Sequence, residues 1–485
     1  MMALKKENLK TFLLLLLILT SLLQIGIHWY QQAQGFPFRF IEEIFSISGD
    51  EFPSMDVDSI KHRYFRPKSI IVSVSSKASL WKLEQNDPFF ISIWKDIKEN
   101  YFPTMIKEKP TKIFPKDQWS AIISGRCIRI DFAARWPNDI IFWLEDVKKP
   151  RDFKSFNGVR SIAILPQSAQ SDVNETVNTV FVYDEDQVYQ YQIDLKEDYL
   201  PKAFYTGLAD ELNSRNIPRL SVLSANTPYK SGEDILVYLD RGIGKAYSSL
   251  SAQIPPAIEL NEANIKNDSI QDHILLNQKE SLMAKHDEKF TEALFTDTDN
   301  LYTLNKDGIL QYRYLPLVDK EAGAASDAFK QALSFIELRR RSLLGDAELV
   351  LTDIKRIDHF YEMQFEYQLN GVPVYYTGAD SESRISSPLI IKANSKRVLE
   401  CQWVIRSFQS TAETDQYSLY FTDLVEKQIL SLYPEIINRE NVYFERIKAG
   451  YFFGLKDQGN LPQKPHWIIS TESKDYFIPL LEEEG

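Results

Sequence analysis

Cysteine is nearly absent. Cys127 and Cys401 are the two such residues in 485, and no pair sits at CxxC spacing. A disulfide framework is thereby excluded. A bond between the two would have to join opposite ends of the chain, so the expectation is two separate thiols packed on strands. Histidine is scarce as well: His28, His62, His273, His286, His359 and His466 are scattered singly, with none at the i, i+4 spacing of helical metal ligands. HExxH, GxSxG, SxxK accompanied by SDN or KTG, and GxxxxGK are all missing. Without these signatures of metal, nucleophile and phosphate-loop chemistry, no catalytic residue, cofactor or metal site is expected. Basic charge is outnumbered too, 56 Lys and Arg against 68 Asp and Glu. Setting aside the first 34 residues leaves 53 basic and 67 acidic residues, a net of −14. Such a surface is poorly suited to nucleic acid, anionic wall polymers or lipid headgroups unless a local basic patch outweighs the mean.

What the chain does possess is a hydrophobic run, Thr11–His28, TFLLLLLILTSLLQIGIH, with Lys5, Lys6 and Lys10 before it and no Lys or Arg after it until Arg39. Eighteen helical residues reach about 27 Å, close to the hydrocarbon thickness of a bilayer. The flanking lysines orient the N-terminus to the cytoplasm, so everything from about Gln31 is expected outside a cell membrane. A cleaved secretory signal would have a shorter apolar region, although Ala33-Gln34-Gly35 imitates a cleavage site. A buried helix of a cytoplasmic protein would need apolar cover all round Leu13 to Ile18. Thr20, Gln24 and His28 are spaced by four with Ser21 beside them, a polar face on the outer half of the helix. Its partners are either neighbouring membrane helices or water at the headgroups; in the first case these four residues form a transmembrane contact site.

Apolar residues at 44% and charged residues at 26% are ordinary globular values, so most of the remainder folds. With 24 Tyr and 29 Phe the composition favours strands and broad contact surfaces. The length calls for several units: a cytoplasmic tip and membrane helix over 1–34, an N-terminal unit over 35–195, a middle unit over 196–318 and a C-terminal unit over 319–485. In the first, residues 31–66 read as a tether merging into irregular structure. After it come a strand at Ser69–Ser75, a helix at Phe90–Asn100, a strand at Ala121–Phe132 and a hairpin over Thr179–Leu195 turning at Asp184-Glu185-Asp186. The middle unit reads as a helix near Phe204–Asn213, a strand at Asp234–Leu239, loop over Ile254–Asn267, and a hairpin over Asn300–Leu317 turning at Lys306-Asp307-Gly308.

The C-terminal unit opens with Ser326 as N-cap of a helix whose Phe329, Ala332, Leu333 and Ile336 share a face. A strand at Ala347–Ile357 and a hairpin at Tyr361–Tyr376 follow. A second helix aligns Phe421, Leu424, Val425, Ile429 and Leu432 and stops at Pro434; strands near Ala449–Leu455, Trp467–Ser470 and Asp475–Leu480 finish the chain. Arg313-Tyr314-Leu315-Pro316-Leu317 and Tyr476-Phe477-Ile478-Pro479-Leu480 hint at a repeat relating the last two units. The fold class is therefore α+β, antiparallel sheets packed with helices behind one membrane helix.

Three constellations invite a chemical reading. Asp297-Thr298-Asp299-Asn300 imitates a calcium loop without its ligand order, and reads as a solvated turn. Glu145-Asp146 and Glu362 with Glu366 are carboxylate pairs of a kind common in acidic proteins. His466 beside Trp467 reads as a packing residue. The best-specified hairpin, MQFEYQLNGVPVYY, turns at Asn370-Gly371, and Pro373 requires its strand to lie at an edge or to point the missing donor outward. An edge there would offer a partner protein a strand to pair with.

The lysine-bearing N-terminus, single membrane helix, large acidic ectodomain and FEYQLNGVPVYY together resemble the YycH family, membrane-anchored accessory proteins of an essential cell-wall-sensing histidine kinase in Firmicutes. The C-terminal run IKAGYFFGL…PHWIIST…DYFIPL is similar to the corresponding end of that family and of its sister family, YycI. The resemblance implies a three-part extracytoplasmic fold whose later parts share a topology with the sister protein. It also implies association with that sister and with the kinase, and membrane helices that set kinase activity through Thr11–His28. It brings no catalytic residues. The competing expectations are an extracytoplasmic enzyme or ligand-binding protein acting on cell-wall material, which would show a deep pocket with convergent polar groups, and a structural protein released after Gly35.

Overall fold

The computed structural model describes residues 57–73, 80–148, 153, 155–165, 177–194, 202–215, 217–226, 230–231, 235–239, 244–267, 269–276, 283–287, 289–317, 321–345, 347–377, 387–434, 443–455, 462–471 and 475–482. A first antiparallel sheet is built from β1 (Ser69–Ser73), β2 (Leu80–Leu83), β3 (Lys112–Pro115), β4 (Cys127–Pro137), β5 (Gly158–Leu165), β6 (Val177–Tyr183) and β7 (Gln187–Asp194) in the order β2-β1-β4-β5-β6-β7-β3. Helix α1 (Val57–Tyr64), helix α2 (residues 88–107) and helix α3 (Asn138–Leu144) accompany it. Strict alternation on β4 buries Ile128, Ile130, Phe132, Ala134 and Trp136, the pattern of a strand with one covered face. Phe65 then sits among Phe132, Trp94, Phe102 and Trp136 at ring separations of 5.3–5.7 Å.

Two expectations change here. The helix foreseen at Phe90–Asn100 begins at Pro88, where Asp87 Oδ1 accepts from Phe89 N at 2.8 Å, and continues to Lys107 through a π turn at Ile97–Tyr101. Pro103 would clash with the carbonyl four residues back in a regular helix, and a widened turn just before it relieves that clash. The strand foreseen at Ala121–Phe132 starts only at Cys127 and runs to Pro137, while Trp119–Ile122 is a short helix. Alternation, and not apolar content, marks the true strand.

The middle segment supplies helix α4 (Lys202–Ser214), the short strands β8 (Ser221–Val222), β9 (Lys230–Ser231) and β10 (Leu236–Val237), and the long β11 (Gly244–Gln253). Of the strand foreseen at Asp234–Leu239, residues 235–239 are described, and among them Leu236–Val237 form the strand. Where loop was expected, Pro256–Ile258 and Glu262–Lys266 make short helical turns, the second capped by Asn261, whose side chain accepts from Asn264 N at 2.8 Å.

The larger sheet contains β12 (Met283–His286), β13 (Glu292–Thr296), β14 (Asn300–Asn305), β15 (Ile309–Tyr314), β16 (Glu348–Ile357), β17 (Phe360–Leu369), β18 (Val372–Thr377), β19 (Leu389–Ala393), β20 (Val398–Val404), β22 (Tyr443–Gly454), β23 (His466–Thr471) and β24 (Asp475–Pro479), while β21 (Ser407–Ser418) pairs with β11. Its main path is β12-β13-β14-β15-β20-β19-β17-β18-β22-β23-β24, with β16 alongside β17 and β9 alongside β22. Segments 196–318 and 319–485 thus share one sheet through the β15–β20 pairing. Helix α5 (Ala325–Leu343) lies on it, with Phe329, Ala332, Leu333 and Ile336 fully buried as their spacing foretold. Its N-cap is Ala324 without a side-chain cap, not Ser326; burial of Ala322, Ala325 and Ala328 fixes where the helix begins.

The hairpin at Asn370-Gly371 has φ of 50° and 78°, the left-handed pair of a type I′ turn. Its second strand is not an edge: β18 is flanked by β17 and, from Val374 onward, by the parallel β22. Pro373 opposes Gln368 next to the hydrogen-bonded closing pair, so its missing donor points away from β17, before the β22 ladder begins. Inside this core Trp403 Nε1 donates to Tyr367 Oη at 2.7 Å and Tyr367 Oη donates to Val404 O at 2.9 Å. Tyr367→Phe strands both partners in a dry site, and a loss of about 1–3 kcal/mol in urea unfolding is expected.

Helix α6 (residues 421–432) also departs from its expected face. A π turn at Leu424–Ile429 interrupts it; Leu424 and Ile429 are buried, but Leu432 is 56% exposed, because the wider turn rotates later residues off the stripe. The proposed repeat endings differ in setting: Leu315 and Leu317 are exposed whereas Ile478 and Leu480 are buried. Cys127 and Cys401 are free, buried and on separate strands, and burial raises their thiols to about 11 and about 12. Asp297 Oδ1 accepts from Asp299 N and Asn300 N at 2.7 and 2.6 Å, a local turn, and no metal-ligand group occurs among the described residues.

Candidate functional site

Thr20, Ser21, Gln24 and His28 lie outside the described residues, as does the whole Thr11–His28 segment; among the described residues no helix is long and apolar enough to cross a membrane. The first described element after that segment is α1, VDSIKHRY, where irregular structure was foreseen. Asp58 in its first turn and Lys61, His62 and Arg63 in its last suit the helix dipole. Ile60 and Tyr64, one turn apart, are both buried, which seats the helix on the core.

Its polar side chains are held from three directions. Tyr64 Oη donates to Glu337 Oε1 at 2.8 Å and Arg63 Nη1 to Glu337 Oε2 at 2.5 Å, with Arg340 Nη1 at 3.7 Å from the same carboxylate. This ties α1 to α5, and the Tyr64 ring meets Phe329 and Phe365 edge-on. Lys61 pairs with Asp146 and lies 5.4 Å from the Trp143 ring centre, at the end of α3. Lys98, from α2, stands 3.3 Å from His62 Nδ1 and 3.9 Å from Glu145 Oε1. Arg66, just past the helix, pairs with Glu348 at the start of β16. Helices α2, α3 and α5 and the larger sheet therefore all grip α1 and the residues just after it.

The carboxylate pair Glu145-Asp146 is part of this clamp and each member has a cation at hand. Burial pushes Glu145 up to about 7, reinforced by Asp146 and opposed by Lys98 and Lys61. A carboxylate raised in the folded state contributes stability below its unfolded value, near 4.3, and loses it as pH rises through about 7. The difference amounts to about 4 kcal/mol. Glu145→Gln is accordingly expected to raise the thermal midpoint by several degrees at pH 8 and to change it little at pH 4, as read by calorimetry. Glu362 and Glu366 share a sheet face on β17; Glu362 accepts from Gln364 Nε2 at 3.2 Å. His466 opens β23 with Nδ1 2.8 Å from Lys464 O, and burial lowers its pKa. Beside the clamp an open cleft of about 520 Å³ is bordered by Asp139, Phe142, Trp143, Asp146, Ala324 and Ser326. Of its acids, Asp146 is already occupied by Lys61. The arrangement holds elements together; it does not converge polar groups on a reacting atom.

The crystal structure of YycH from Bacillus subtilis matches the chain with a TM-score of 0.55 at 12% identity, over 87% of this chain and 97% of that one. The fold is that of YycH. At this identity the likeness concerns architecture, and it runs through both sheets and not a single module. An uncharacterized protein from Eubacterium rectale ATCC 33656 matches with a TM-score of 0.29 at 14% identity, over 57% of this chain and 95% of that one. No family model and no curated protein matches the sequence.

The clamp was not foreseen. Its pairs join residues 85 and 274 positions apart, beyond the reach of any local pattern. The one available signal was the i, i+4 pair Ile60 and Tyr64 ahead of Pro67.

Proposed function

We propose that the protein is a non-enzymatic regulator of a two-component sensor histidine kinase concerned with the cell wall, anchored in the cell membrane by Thr11–His28 with its N-terminus cytoplasmic. The observation that carries this reading is the match to YycH over nearly the whole of that chain. In this reading the anchor meets the kinase's membrane helices through Thr20, Ser21, Gln24 and His28, and a YycI-like sister protein joins the assembly. Helices that favour one kinase state by ~1–3 kcal/mol change its population about 5–150-fold.

The test is recovery from detergent-solubilised native membranes, comparing the intact chain with one carrying polyleucine over residues 11–28. A histidine kinase recovered with the native helix and lost with polyleucine is the expected result. Recovery by neither form overturns the proposal.

A further inference from the structure

In this acidic chain the cations are not evenly spread. On β22 the alternation that turns Ile447 and Ala449 toward the core places Arg446 and Lys448 together on the opposite face, across from Ser470 and Ile468 of β23. Arg446 Cζ is 5.9 Å from the Tyr375 ring centre, and Gly450 makes room for that ring: a Cβ there would stand 3.0 Å from Tyr375 Cε2. Arg446 Nη1 is nonetheless buried with no hydrogen-bond partner. A guanidinium nitrogen taken from water and left unmatched is costly.

The facing wall is the first sheet. Register sets Lys82, Ile71 and Arg129 in a row across β2, β1 and β4, with Asp131 two residues along. Lys68, immediately before β1, donates its backbone N–H to Asp131 O at 2.7 Å, and its side chain neighbours that of Lys448. Two ammonium groups brought together repel. The charge of Lys68, more than burial, holds Lys448 well below the usual lysine range. Lys245 lies nearby at 3.0 Å from Glu84. The carboxylates facing the cluster are Glu84, Asp131, which Arg129 engages at 3.0 Å, and Glu366. Even without Lys448, five cations (Lys68, Lys82, Arg129, Lys245 and Arg446) against three carboxylates leave a local excess of positive charge. Lys68 and Lys82 are exposed while Arg446 and Lys448 are half-buried, so the cluster is open to solvent and its guanidinium lies at the base.

We propose that Lys68, Arg446 and Lys448 form an anion site between the first sheet and β22 that takes a phosphate group. Phosphate fits better than a lone carboxylate. A group with several charged oxygens serves the Arg446 fork and both ammonium groups at once, and its charge offsets the repulsion between Lys68 and Lys448. This is the local basic patch that the mean charge of the chain conceals.

The experiment uses the full chain in neutral detergent micelles, titrated by calorimetry and thermal unfolding with inorganic phosphate, with the diester glycerophosphoglycerol, and with chloride at matched ionic strength. Either phosphate compound is expected to bind and to raise the thermal midpoint beyond the chloride control. Binding of the diester alone points to a polymer or lipid headgroup as the source, and binding of inorganic phosphate alone to the free ion. R446Q and K448Q are expected to weaken binding at least tenfold, and K289Q, an exposed lysine elsewhere, less than twofold. K448Q also carries a readout opposite to misfolding: with the repulsion relieved, its phosphate-free midpoint equals or exceeds the parent's while the phosphate-induced rise disappears. No rise beyond chloride with either compound, or undiminished binding by K448Q, overturns the proposal.

Discussion

Replacing Glu337 with alanine is expected to lower the unfolding free energy by about 3–5 kcal/mol, the range for removing one partner from a buried ion pair. The carboxylate is 6% exposed and serves Tyr64, Arg63 and Arg340 at once. Without it the Tyr64 hydroxyl keeps its burial and loses its acceptor, and two guanidinium groups are left facing each other. Burial and the Glu337 charge together raise Tyr64 well above the usual phenol range, so the hydroxyl stays protonated and donating at every working pH. Glu337→Gln keeps an acceptor for Tyr64 and is expected to cost less. Urea unfolding gives the magnitudes. Hydrogen exchange gives the location: α1 amides lose protection first in E337A, because the polar tie to α5 is gone and the helix keeps the Lys61–Asp146 pair and the aromatic contacts to Phe329 and Phe365. If E337A proves as stable as the parent, with α1 equally protected, the clamp does not fasten α1.

Asp184→Ala comes next, with an expected cost of about 3 kcal/mol or more. Asp184 is fully buried at the tip of the β6–β7 hairpin. Its Oδ1 accepts from Asp186 N and Gln187 N at 3.0 and 2.8 Å, and its Oδ2 from Tyr189 Oη at 3.0 Å and Asn157 N at 3.4 Å. Arg135 adds its charge at 3.9 Å and donates through Nε to the Asp184 carbonyl at 2.6 Å. Alanine removes every acceptor on the side chain and leaves those donors in place. Asp184→Asn retains an oxygen for the turn and is expected to fall between alanine and the parent in urea midpoint. Equal midpoints for all three would show that the hairpin closes without this side chain.

The turn at Asp184 was readable because its reason is local: a short acidic segment between two alternating apolar runs. The same holds for Lys306-Asp307-Gly308, for Asn370-Gly371, and for the α5 stripe of Phe329, Ala332, Leu333 and Ile336. Each depends on residues within a few positions of one another, where periodicity and turn chemistry act directly. The errors have physical causes as well. Pro103 was compatible with a continued helix once the turn before it widened, and a similar π turn carried Leu432 out to solvent. Neither adjustment alters the apolar pattern from which the helices were read. Pro373 allowed an edge or an outward-pointing donor, and the parallel pairing with β22 selected the second.

The sequence by itself determined the local elements, the solitary state of Cys127 and Cys401, the lack of motif chemistry and the resemblance that the shared fold then matched. Tertiary structure alone decided what meets what. It joined β15 to β20 across the boundary expected at 318, set Glu337 against Tyr64, and brought Lys68 to Lys448 from opposite ends of the chain. Such encounters arise when two amphipathic surfaces bury their apolar sides and the polar groups at the seam take whatever partners the packing supplies. Spacing along the chain carries no record of them.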